Sequence, residues 1–302
     1  MGMFKFSVDQ VEYDICGLKI GGQPGVNPTV GIPSIFFTGH SIVTDDRKGA
    51  FEEKKAEKLI NSLDVLKDQT GIPYMLDVVG NYPEALQRYV DWIAEKTQVP
   101  FLLDGITASV RIPVAKHCSE VGLEKRAIYN SISPEHTEDE VKALGQLNLE
   151  ACVLLTFDKR VMSAAGRLDM LEKDLLPLAR RVGFQKFLVD TMVLDVPSIG
   201  TASKACYMVK ERLGLPAGCG ASNATTQWEK VRSDRDVYRS AHVAATITSV
   251  ALGADFVMYG PVGYAPWVTW AIAAVDAFAA YQNRWEYHTR PAAGHPLTKI
   301  FR

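Results

Sequence analysis

Residues 187–223 read FLVDTMVLDVPSIGTASKACYMVKERLGLPAGCGASN. The run 187–189 is apolar on both faces and is followed by Asp190. Ser198–Leu213 carries its apolar residues at helical spacing. A second apolar run, 215–219, then leads into Gly220-Ala221-Ser222-Asn223. A strand apolar on both faces, followed by an amphipathic helix and another such strand, is the unit of a parallel sheet covered by helices.

The same unit recurs in both directions along the chain. Apolar runs at 34–37, 74–79, 101–103, 127–129, 151–156 and 256–259 complete a set of eight. Helical patterns fall at 52–69, 83–97, 138–147, 169–182 and 236–252. Eight strands with intervening helices predict a closed (β/α)8 barrel, a TIM barrel, with an open doubly wound sheet as the alternative. The 302 residues suit one such domain, 1–302. The Gly- and Pro-rich segment 1–33 reads as a short hairpin under the barrel or as a lid, and 289–302 as an extended arm.

Composition narrows the function. Charged residues make up 23% and the formal charge is -2, so no basic stripe suggests nucleic acid. The run 265–280 contains Pro266 and Asp276 and is too interrupted to span a bilayer. The N-terminal residues lack a signal-peptide core, and five scattered Cys suggest free thiols in a reducing compartment. A cytoplasmic protein is expected. His and Cys lack ligand spacing for zinc, so no metal is expected on the chain itself. Gly218-Cys219-Gly220 is only a fragment of a dinucleotide fingerprint.

In a barrel of this kind, chemistry gathers where strands end. The first polar residues after five of the apolar runs are Asp77, Asp104, Asn130, Asp190 and, past Ser222, Asn223. None is Lys or Arg, which argues for a ligand edge rich in N–H donors over a phosphate or carboxylate headgroup. A pterin has that edge. Its 2-amino group and ring N–H suit a carboxylate, and an Asn amide both donates and accepts. Each of these residues has a structural alternative, as the N-cap of the next helix or, for Asn223, as a turn residue.

LLDG around Asp104, YNSIS around Asn130, LVD at Asp190 and GASNAT around Asn223 resemble the pterin-site motifs of corrinoid-dependent methyltetrahydrofolate methyltransferases. Over nearly the whole chain, including FKF, GGQPG and SIFFTGH, the sequence more closely resembles the H-subunit family of tetrahydromethanopterin S-methyltransferase, with its stand-alone bacterial relatives. Some of those relatives methylate tetrahydrofolate in glycine betaine demethylation. The resemblance implies that Asp104, Asn130 and Asp190 bond the pterin ring and that Ser222 lines the pocket. Asn223 would bond N5, the methylated nitrogen, as the catalytic residue. Asp77 is expected beside the ring site, and Gln227 fits the pattern less well.

The implied reaction moves a methyl group between methylcobalamin on a partner corrinoid protein and tetrahydrofolate. No string of the DxHxxG type, the pattern of a cobalt-ligating His, is present, so the corrinoid is expected on the partner. The alternatives are a tetrahydromethanopterin-dependent component of a larger membrane-associated complex, and a pterin-binding protein without catalysis. The aromatic stretch holding Tyr264, Trp267, Trp270 and Trp285 reads as core packing or as the interface of an expected homodimer.

Overall fold

The computed structural model describes residues 4–301, so positions 1–3 and 302 of the expected domain lie outside the described residues. Eight parallel strands close into a barrel. In chain order they are β1 (Val30–Ile35), β2 (Leu76–Val79), β3 (Phe101–Asp104), β4 (Ala127–Ile132), β5 (Ala151–Leu155), β6 (Lys186–Asp190), β7 (Ala217–Cys219) and β8 (Phe256–Pro261). β8 pairs with β1 and closes the cylinder. The barrel is therefore the outcome, and the open sheet is excluded.

The helices outside are α1 (Glu53–Thr70), α2 (Pro83–Lys96), α3 (Ala108–Glu120), α4 (Glu138–Leu144), α5 (Ala164–Met170, continued by a π turn and Leu176–Val182), α6 (Ser198–Leu213), α7 (Arg235–Ala251) and α8 (Ala265–Glu286). α3 has no counterpart among the expected helical patterns. Pro113 sits inside it and masks its periodicity. α4 stops at Leu144, three residues short of the expected end, because Gly145 closes it.

The first strand lies four residues earlier than 34–37. Phe36 takes a φ of 67°, which ends the strand at Ile35. Residues 30–33 therefore belong to the barrel and not to the N-terminal segment. Within the rest of that segment, residues 12–21 form a hairpin, Glu12–Ile15 against Leu18–Gly21. Its Ile15 and Ile20 plug the N-terminal end of the barrel. There they join Ile32, Met75, Leu102, Ile128, Val153, Leu188 and Phe256 in one buried apolar cluster.

The C-terminal arm packs on its own barrel. Lys299 Nζ donates to the Asp68 carbonyl oxygen of α1 at 2.9 Å, and His295 is fully buried. Core packing fails as the reading of Trp270 and Trp285. They are 42% and 67% exposed on α8, as are Phe278 and Tyr281 nearby. Among the described residues, no helix is long and apolar enough to cross a membrane.

Candidate active site

Side chains alternate along a strand, so the residue two beyond an inward-facing one also faces inward. Two residues above Met75, Leu102, Ile128 and Leu188 stand Asp77, Asp104, Asn130 and Asp190. The same step from Ile32 gives Ser34, and from Val153 it gives Leu155. The apolar layer that closes the barrel is thus capped by a polar layer one step higher. All six of those residues line a single cavity of about 890 Å³ at the C-terminal mouth. The registers set Asp104 opposite Asn130 across β3 and β4, and opposite Val79 across β2 and β3.

All six residues expected at the site line this cavity: Asp77, Asp104, Asn130, Asp190, Ser222 and Asn223. Ser222 and Asn223 lie on the short helical turn Ser222–Thr226 after β7. Asn223 is exposed at the mouth, and its Nδ2 donates to the Val193 carbonyl oxygen at 3.0 Å. That bond identifies which end of the amide is the donor and leaves Oδ1 and the second N–H beyond it.

The capping alternative does not hold for the three aspartates. The helix caps made by side chains come from Thr137, Ser163, Asp234 and His295. Asp190 instead accepts from its own loop, with the Met192 N–H donating to Oδ1 at 2.8 Å. Asp77 Oδ2 accepts from Ser34 Oγ at 2.6 Å, while Oδ1 is buried without a hydrogen-bond partner.

Burial sets the electrostatics. It pushes the Asp104 and Asp190 carboxyls up to about 6. Arg111 opposes the rise at Asp104. The Met192 N–H and then Arg167 oppose it at Asp190. Asp77 is raised well above the usual carboxylate range, first by burial and then by the neighbouring Asp104 charge. The mouth therefore presents two carboxyls raised to about 6, a third whose ionisation burial and the Asp104 charge oppose, and an amide.

Several cavity residues escaped the sequence reading. Ser34 was hidden by the shifted first strand. Arg111 was hidden in the unrecognised α3, where it bonds the Gly105 carbonyl at 2.7 Å and pairs with Glu140 at 3.1 Å. Arg232, Arg235, Tyr238 and Tyr264 line the side nearest Ser222. The strand ends carry no cation, as expected, but the cavity as a whole does. His40 and Gln227 do not line it. His40 Nδ1 accepts from the Phe36 N–H at 3.1 Å and its ring stacks on Phe37. Gly218 has a packing reason of its own, since a Cβ there would meet the Phe256 ring at 2.6 Å. Among the described residues, no group of three or more His, Cys, Asp or Glu is placed to hold a metal ion.

The fold is shared with solved dihydropteroate synthases. One from Coxiella burnetii, in complex with pteroic acid, superimposes with a TM-score of 0.60 at 14% identity, covering 86% of this chain and 94% of that one. One from Xanthomonas albilineans, in complex with indole-2-carboxylic acid and 6-chloroguanine, gives 0.58 at 15% identity, covering 92% and 99%. Sequence relatives are nearer. The H subunit of tetrahydromethanopterin S-methyltransferase from Methanothermobacter thermautotrophicus is 34% identical, covering 99% of this chain and 100% of its own length. The corresponding Methanocaldococcus jannaschii protein is 36% identical with the same coverage. The family model described as the tetrahydromethanopterin S-methyltransferase MtrH subunit matches residues 8–291, and the chain belongs to that family of methyltransferases.

Proposed function

We propose that this chain moves a methyl group between a corrinoid carried by a partner protein and N5 of tetrahydrofolate. The observation that carries the reading is the polar layer of Asp77, Asp104, Asn130 and Asp190 above a sealed apolar floor, with Asn223 at its rim. A carboxylate accepts the paired 2-amino and ring N–H donors of a pterin, and the Asn130 amide matches a neighbouring donor or acceptor. In this reading Asp104, Asn130 and Asp190 hold the ring, Ser222 lines its edge, and Asp77 supports Asp104 from β2.

Asn223 acts at N5. When the N5 lone pair attacks the methyl group of methylcobalamin, the N–CH3 bond forms as the cobalt–carbon bond breaks with its electron pair left on cobalt. N5 becomes cationic, and its own N–H proton then leaves to restore the neutral amine. In the reverse direction N5 is the leaving group and its developing lone pair needs a donor. An amide whose orientation is fixed by Val193 offers an oxygen for the first case and an N–H for the second. Its interaction strengthens as charge changes at N5, which is the requirement for lowering a barrier. Positioning of the two reactants supplies the rest. The corrinoid is assigned to a partner docking over the open mouth. The exposed aromatic row on α8, Trp270, Phe278, Tyr281 and Trp285, is the face assigned to pairing of two copies. Free thiols suit a cytoplasmic setting.

A second reading takes tetrahydromethanopterin as the pterin, within a larger membrane-associated complex. The names of the sequence relatives favour that pterin. One assay tests both readings. Methylcobalamin is incubated with each reduced pterin and the protein, and loss of the methyl-cobalt spectrum is followed. Faster demethylation with tetrahydrofolate supports the first reading, and faster demethylation with tetrahydromethanopterin the second. No rate above background with either pterin would remove catalysis and leave a binding protein.

A further inference from the structure

The cavity has two chemically different ends. Its floor carries carboxylates and amides. Its rim, on the side of Ser222 and Asn223, carries the guanidinium groups of Arg232 and Arg235 and the rings of Tyr238 and Tyr264. The two tyrosine hydroxyls lie 3.3 Å apart and the ring centroids 6.1 Å apart. Both arginines are exposed, and among the described residues neither forms an ion pair. Asp234, which lies between them in sequence, is engaged in capping α7, where Oδ1 accepts the N–H groups of Asp236 and Val237. The third cavity cation, Arg111, is already paired with Glu140.

The connectivity of a reduced pterin makes this arrangement informative. N5 and C6 are bonded neighbours in the ring, and C6 carries the tail. If Asn223 sits at N5, the tail leaves the ring beside Asn223. The residues beyond it on that side are these arginines and tyrosines. We propose that Arg232, Arg235, Tyr238 and Tyr264 form a subsite for the C6 tail of the pterin, the tyrosines packing on its arylamine ring and the arginines binding the anionic group beyond. This rests on the placement of Asn223 at N5. Planar guanidinium groups bind carboxylates and phosphates alike. The shared chemistry is therefore an aryl group followed by an anion, found as glutamyl carboxylates in tetrahydrofolate and as a phosphate followed by carboxylates in tetrahydromethanopterin.

The test is anaerobic equilibrium binding to the wild type and to the double variant R232A/R235A. Four ligands are used: tetrahydrofolate, its triglutamate form, tetrahydromethanopterin, and 6-methyltetrahydropterin, which has the ring and no tail. The wild type is expected to bind at least one tailed pterin more tightly than 6-methyltetrahydropterin. The double variant is expected to lose about ten-fold in affinity for that tailed pterin, the scale of charge-assisted hydrogen bonds at an exposed site, and nothing for 6-methyltetrahydropterin. A loss confined to the folates assigns the anion as the glutamyl carboxylate, and one confined to tetrahydromethanopterin assigns it to that pterin's longer anionic tail. Unchanged affinity for every pterin, with a raised KM for the corrinoid protein, would overturn the subsite and give the arginines to the partner. Failure of the wild type to bind 6-methyltetrahydropterin or any tailed pterin would overturn the ring site itself, and the tail subsite with it.

Discussion

Asn223 Nδ2 donates to the main-chain oxygen of Val193, tying the turn after β7 to the loop after β6. The amide that faces the cavity is therefore held by a neighbouring strand's loop and not by its own turn. Replacing Asn223 with Ala removes both the aimed amide and this tie. Turnover in the methylcobalamin assay is expected to fall by about one to three orders of magnitude, the range for loss of one aimed donor. Pterin affinity is expected to change less, because the ring is held by Asp104, Asn130 and Asp190. A wild-type rate constant combined with a large loss of affinity would contradict the role at N5.

Binding should depend on pH through the two carboxyls raised to about 6. A ring that presents N–H donors requires them ionised. Affinity is expected to be flat above about pH 7 and to fall below 6, by about ten-fold per pH unit for each carboxylate that must lose its proton. Titration of pterin binding between pH 5 and 8 reads this directly. Asp190→Asn should weaken binding at pH 7.5 and flatten the profile. A profile that rises toward acid pH would show that the protonated forms bind.

Asp77 carries the opposite expectation. A buried carboxyl whose pKa is raised binds more protons in the folded chain than in the unfolded one, between its ordinary value and the raised one. Stability then falls as pH rises through that window. Asp77→Asn keeps the bond from Ser34 and removes the cost of ionisation beside Asp104. Tm is expected to rise by about 2 °C or more at pH 7.5, and the gain should shrink toward pH 4. Differential scanning calorimetry at the two pH values measures it. Equal or lower stability at pH 7.5 would mean that the unpartnered Oδ1 has a role that an amide cannot fill.

The fold and the ring of candidate residues were legible because one physical rule covers both. Strands buried on both faces read as apolar runs, and the first polar residue beyond each run lies one side-chain repeat above the barrel floor. Asp77, Asp104, Asn130 and Asp190 follow from that rule. Where a local feature broke the pattern, the reading failed. Pro113 concealed α3 and with it Arg111. The left-handed Phe36 ended β1 early, so Ser34 went unread. Arg232 ends the second of two short helical turns, Ser222–Thr226 and Glu229–Arg232, and Arg235 opens α7; no periodicity encodes the geometry of those turns. The GGQPG string was legible as a resemblance before its cause was visible. Gly25 has a φ of 82°, and a Cβ there would stand 2.7 Å from the Ala280 backbone of α8. A single side chain would part the N-terminal segment from that helix.

Arg167 makes the last prediction, because it links stability to the site. It is 1% exposed, and its Nη1 donates to the carbonyl oxygens of Thr191 and Met192, directly after Asp190. Met192 holds a φ of 50°, a left-handed turn that brings its N–H back to Asp190 Oδ1. The guanidinium charge also lowers the Asp190 carboxyl against the rise caused by burial. Arg167→Met leaves the buried Thr191 carbonyl and the half-buried Met192 carbonyl without this donor and is expected to cost about 2–4 kcal/mol of stability, measured by urea denaturation. It also removes the cation, so the pH midpoint of pterin binding should move upward from about 6. Arg167→Lys keeps the charge and is expected to move that midpoint less than Arg167→Met does. If the Met variant folds and binds with an unshifted midpoint, Arg167 supports the fold alone and does not tune Asp190.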